Sequence, residues 1–105
     1  MTTNQELLEL AAKAANLPNW YSKNGVIYYS YNPDAGYVVW YPLTDDGDAL
    51  RLAVKLGMCV TVFKASRPLG AMANTHFEEF NGSDHYTATR RAIVRAAAEI
   101  GREMK

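Results

Sequence analysis

Six aromatic side chains, Tyr28, Tyr29, Tyr31, Tyr37, Trp40 and Tyr41, fall within fourteen residues on either side of the turn-forming run Asn32-Pro33-Asp34-Ala35-Gly36. The flanks, residues 26–31 and 37–41, are rich in strand formers, and Gly36 is free to take positive φ, so the stretch predicts an antiparallel hairpin. Alternation puts Val26, Tyr28 and Ser30 on one face of the first strand and Ile27, Tyr29 and Tyr31 on the other. On the second strand Tyr37, Val39 and Tyr41 oppose Val38 and Trp40. Neither face is polar. Such a ribbon has more ring surface than one core face needs, so either both faces are covered or one presents phenol rings for recognition.

The chain around this hairpin is that of a globular domain. Its 105 residues, 49% apolar and 21% charged, predict one domain spanning residues 1–105 that can fold without metal or disulfide staples. Eleven Lys plus Arg balance eleven Asp plus Glu, so the overall basic excess of a nucleic-acid or membrane-surface protein is missing. The halves differ, with residues 1–48 carrying six acids against two lysines, a net of −4, and the remainder +4. The single cysteine, Cys59, excludes an intramolecular disulfide and a multi-cysteine metal site, and its apolar run reads as a buried, inert thiol. No stretch has the character of a signal peptide or a membrane span, so the expected location is the cytoplasm.

From the start of the chain, Thr3 and Glu6 have the spacing of a capping box, followed by Leu7, Leu10, Ala11, Ala14 and Ala15 at helical period. Pro18 ends that helix near Asn16. Residues 19–25 read as a short connection whose two aromatics, Trp20 and Tyr21, fold back on the apolar stripe. After the hairpin, Pro42 stops the strand and Thr44-Asp45-Asp46-Gly47-Asp48 opens a helix over 48–56, stopped by Gly57 in a left-handed conformation. Residues 58–65 read as a central strand and 66–74 as a loop. Residues 75–80 resume an extended run containing His76, a partly exposed edge-strand histidine on its plainest reading. His85 assists a turn before the final helix, residues 86–104. The order α-β-β-α-β-β-α predicts an α+β fold, an antiparallel sheet packed by helices. No glycine fingerprint for phosphate follows the first strand, and no cofactor is expected.

Two further clusters carry chemical options. Asp45, Asp46 and Asp48 resemble hard-cation ligands, but they lack the spacing and closing glutamate of a calcium loop, and acids in a first helical turn also meet free amides and the helix dipole. With His76 they form the only candidate centre for a small metal-dependent hydrolase, which needs all four to converge. Arg91, Arg95, Arg102 and Lys105 share one face of the last helix and can follow a phosphate backbone, although Glu99 and Glu103 interrupt the field.

Trp40-Tyr41-Pro42-Leu43-Thr44-Asp45-Asp46-Gly47-Asp48-Ala49-Leu50-Arg51-Leu52-Ala53-Val54-Lys55-Leu56, together with Ala92-Ile93-Val94-Arg95-Ala96-Ala97-Ala98-Glu99-Ile100-Gly101-Arg102, resembles a family of small, uncharacterised proteins of tailed bacteriophages and prophages. That family is marked by a W-x-P-L-x-D-D-G-D-A-x-R-L motif and a C-terminal A-I-V-R-A-A-A-E-I-G helix. The resemblance implies a phage-derived accessory protein acting inside a bacterial host, and it carries over no catalytic or binding residue. The leading expectation is therefore non-catalytic binding of a host or phage protein. Tyr28, Tyr29, Tyr31 and Tyr37 form the contact pool, Asp45 and Asp46 steer a basic partner, and Trp40 belongs to the core. A homodimer through a sheet edge fits the aromatic excess. The alternatives are weak DNA or RNA binding by the arginine face and the small hydrolase.

Overall fold

A computed structural model describes residues 3–64, 69–80 and 84–104. The first helix, α1 (Asn4–Ala15), starts at the predicted capping box: Thr3 Oγ1 accepts the Glu6 amide at 3.1 Å while the Glu6 carboxylate receives the Thr3 amide. It ends at Asn16 in the left-handed conformation, ahead of Pro18. Leu7, Leu8, Ala11, Ala12, Ala14 and Ala15 are buried, a wider stripe than the period alone marks.

Three strands follow, β1 (Tyr21–Lys23), β2 (Val26–Tyr29) and β3 (Val38–Trp40), in an antiparallel sheet of that order. The hairpin is therefore the second half of a meander. Asn24 and Gly25, both at positive φ, close a two-residue turn between β1 and β2, the turn that Asn-Gly favours. Pro33–Ala35 forms a 3-10 turn between β2 and β3. Ile27 faces Trp40 across the ladder, and both are buried, which ties this sheet to the core. Trp20 packs against that core as expected, whereas Tyr21, expected to fold back with it, belongs to β1 and is 42% exposed.

Helix α2 (Asp46–Lys55) is capped by Asp45 and starts two residues before the predicted position. A second antiparallel sheet follows, β4 (Val60–Phe63), β5 (Gly70–Ala73) and β6 (His76–Glu79), again in chain order. The full order is α-β-β-β-α-β-β-β-α, an α+β fold with two three-stranded sheets where one sheet was expected. The expected loop over 66–74 contains β5; residues 65–68 lie outside the described residues. Gly70-Ala71-Met72-Ala73 has almost no strand-forming side chains, and pairing on both sides imposes the conformation. The strand expected to be central, β4, is an edge strand with Val60, Thr61 and Val62 exposed. Cys59, just before it, is exposed rather than buried.

The last helix, α3 (His85–Glu103), is the spine of the molecule. It packs against α1, α2, β5 and β6, which is why Ala88, Ala92, Ile93, Val94, Ala96, Ala97, Ala98 and Gly101 are buried on more than one side. The alanines of α1 and α3 permit close approach, closest at Gly101, where a Cβ would run into the Leu10 carbonyl. Ile93 and Ala97 are buried, whereas Tyr86 is 69% exposed, because the contacts of α3 are set by several neighbours and not by one stripe. Asp84 caps α3 through a 2.7 Å bond from the Thr87 amide, and that bond holds its carboxyl below the usual carboxylate value. A depressed carboxylate stabilises the fold above its unfolded pKa of about 3.9, and the contribution is lost as pH falls through the folded value. The stability difference between the natural chain and Asp84→Asn should therefore shrink when urea unfolding is moved from pH 7 to pH 3. An unchanged difference would show that the charge of the cap does not matter.

Candidate protein-binding surface

Strand parity sorts the tyrosines into two groups. Tyr21, Tyr28 and Val39 are successive partners across β1, β2 and β3, on the face turned away from Ile27 and Trp40. The Tyr21 and Tyr28 rings stack with centroids 5.2 Å apart, and the Tyr37 ring meets Tyr21 edge-on at 5.2 Å. Tyr21, Tyr37 and Val39 remain 42%, 43% and 52% exposed, so this face is an aromatic surface open to solvent. The other pair, Tyr29 and Tyr31, meets edge-on at 5.9 Å on the opposite side. Tyr29 packs against the core there, and the two rings border a small hollow of about 90 Å3 with Leu17, Trp40 and Arg51.

The loop that positions Tyr31 and Tyr37 is held by one buried hydroxyl. Ser30 is 3% exposed; its Oγ donates to the Gly36 carbonyl at 2.5 Å and accepts the Asn32 amide at 3.1 Å. Its amide donates to the Pro18 carbonyl, and its own carbonyl accepts from Asn19 Nδ2 at 2.8 Å. Asn32 Oδ1 in turn caps the 3-10 turn, and Gly36 takes the positive φ its position requires. The rings thus sit on a loop fixed by side-chain and backbone hydrogen bonds.

The acidic turn is mostly occupied by this framework. Asp45 accepts the Asp48 amide at 2.8 Å as the cap of α2. Asp46 pairs with Arg90 at 2.5 Å, and Arg90 also donates to the Leu43 carbonyl and to Thr87 Oγ1, clamping α2 to α3. Asp48, 8% exposed, accepts the Tyr41 amide at 3.0 Å and Arg51 at 2.8 Å. That carboxylate keeps the Arg51 guanidinium protonated to a higher pH than usual. Trp40, Pro42 and Leu43 are buried beside them. Every one of these motif residues has a structural partner, so the W-x-P-L-x-D-D-G-D-A-x-R-L pattern reads as the joint between hairpin, α2 and α3. The side chains of Asp45 and Asp46 stay 59% and 65% exposed and still lend negative potential to that corner.

The arginine face is likewise engaged. Arg91 and Arg95 both reach Glu78 of β6, at 3.5 and 2.6 Å, and Arg102 pairs with Glu99 at 2.8 Å. Lys105 lies outside the described residues. Each of these arginines has a carboxylate partner, but Glu78 serves two of them, so the five groups keep one positive charge in excess. His76 lies on β6, while Asp46 and Asp48 are tied to arginines at the start of α2. Among the described residues no group of three or more His, Cys, Asp or Glu side chains could hold a metal ion. His85 opens α3 and stacks on Phe80 with centroids 4.0 Å apart.

Tyr21 is the surface residue that sequence reasoning missed. Its signal was Asn24-Gly25, which two residues after Ser22 announces a hairpin and makes Tyr21 a cross-strand neighbour of Tyr28. No protein family, curated protein or solved structure compared with the chain matches it.

Proposed function

We propose that this chain is a phage-derived accessory protein that works in the host cytoplasm by binding a host or phage protein, without catalysis, through the outer face of its first sheet. One observation carries the reading: Tyr21, Tyr28 and Tyr37 pack ring against ring on the solvent side of a sheet whose other side is core. Tyrosine supplies large contact area with two rotatable bonds and a hydroxyl that can be satisfied by partner or water, so it costs little to immobilise. Asp45 and Asp46 contribute a negative corner that favours a basic partner through the field more than through direct pairs. The phage origin rests on the two sequence motifs. No helix among the described residues is long and apolar enough to cross a membrane.

Affinity capture from a bacterial host lysate tests this, with half of each sample treated with nuclease. Tyr28→Ala/Tyr37→Ala should lose the captured protein, at a cost of more than about 2 kcal/mol if the rings are hot spots, and Tyr31→Ala should retain it. Capture that disappears with nuclease and ignores the double substitution would transfer the function to the arginines of α3. Loss with Tyr31→Ala alone would move recognition to the other side of the sheet.

A further inference from the structure

A groove of about 510 Å3 is lined by residues of α2, α3 and β4. Leu50 and Ala53 form one wall, Tyr86 and Ile93 the other, and Val60 and Val62 the base. Leu50 and Tyr86 are 64% and 69% exposed, and Val54 beside them on α2 is 71% exposed. Large apolar side chains at that exposure on one continuous surface mark an interaction site more often than a bare one.

The backbone at this groove is open as well. Asn74 donates its amide to the Cys59 carbonyl, and register pairs Thr61 with Met72 and Val60 with Ala73. Antiparallel pairs alternate, so Cys59, Thr61 and Phe63 are the residues bonded to β5, while the amides and carbonyls of Val60 and Val62 point out of the other edge, where none of the described residues pairs with them. The same two valines send their side chains into the groove. A strand laid against this edge would bond to their backbones and place its own inward side chains in the cavity. The edge also lacks the usual guards: β4 has no charge and no proline, and Lys64 comes only after its end.

We propose that β4 pairs antiparallel with β4 of a second copy about a twofold axis at Thr61, joining two three-stranded sheets into one of six. That register is the symmetric one that uses both free valines: Val60 meets Val62 of the other copy and the reverse, giving four backbone hydrogen bonds. Phe63 then faces Cys59, and Lys64 faces Met58, so no like charges oppose each other. An ordinary stable interface takes on the order of 800 Å2 per partner, and the edge and groove offer Leu50, Val54, Val60, Val62 and Tyr86, all more than a third exposed, for a second copy to cover. The dimer is independent of the tyrosine surface, which lies on the other sheet.

Light scattering at 100 µM tests the proposal. The natural chain should have twice its 11.7 kDa mass. Val62→Pro removes an outward amide and the valine side chain from the groove while leaving the β5 ladder whole, and Val62→Lys keeps the amide but puts a charge in the groove. Each should weaken dimerisation at least tenfold while circular dichroism stays native, and Tyr28→Ala/Tyr37→Ala should remain dimeric. In a Cys59→Ser background, Thr61→Cys should give a disulfide-linked dimer with oxidised glutathione, because twofold-related Thr61 positions come about 4.5 Å apart at Cα. A monomer at 100 µM overturns the proposal and leaves the groove to a foreign extended peptide or a small apolar ligand. So does a dimer that persists in both Val62 variants without a Thr61→Cys link.

Discussion

Gly101→Ala is expected to destabilise the protein by about 2 kcal/mol, although alanine is the better helix former by about 1 kcal/mol. Gly101 sits inside α3, where propensity alone favours the substitution. Its Cβ would strike the carbonyl of Leu10, a backbone atom of α1 with no rotamer to escape into. Relief requires moving α1 away from α3, which opens the contact between Leu8, Ala11, Ala97 and Ala98 in the middle of the core. A loss of about 2 kcal/mol lowers the thermal midpoint of a domain this size by about 10 °C. A raised midpoint would mean that the two helices do not cross at this glycine.

Asp48→Ala should cost a similar amount, about 2 to 3 kcal/mol in urea unfolding, for a different reason. The Arg51 side chain is 70% exposed, so the ion pair by itself contributes little. The cost lies in the Tyr41 amide, which would lose its acceptor in a buried corner, and in a missing carboxylate in the first turn of α2. Asp48→Asn keeps an oxygen for that amide and should recover about half of the loss. If alanine and asparagine destabilise equally, the charge and not the amide bond is what the site needs.

These two residues show where the sequence was legible and where it was not. The capping box at Thr3 and Glu6, the stop at Asn16 and the long final helix follow from local chemistry, and the structure has them. Asn24-Gly25 was equally local and implied β1, yet with Ser22 and Lys23 before it the strand has only Tyr21 as a strong strand former. β5 carries no local signal, since its small residues are strand only because β4 and β6 flank them and because α3 presses on Ala71 and Ala73. The exposure of Cys59 and of β4 followed from their place at an edge, a long-range property that apolar alternation does not encode. Among the site residues, parity separated Tyr28 from Tyr29 correctly. It gave no means of knowing that the face with Ile27 would be the buried one until Trp40 was seen opposite it. The three acids of the turn looked chemical in sequence, and Arg51, Arg90 and the Tyr41 amide, brought in by folding, account for their contacts.

The central claim is that another protein sits on the tyrosine face, and site-specific photo-cross-linking in host cells tests it most directly. A benzophenone amino acid would replace Tyr37 on the outer face in one strain, and Tyr31 on the opposite side in another. The account predicts one discrete protein adduct from position 37, weakened by Tyr28→Ala, and none of that mass from position 31. Adducts equal in identity and yield from both positions, or none from position 37 in cells where position 31 gives one, would contradict it.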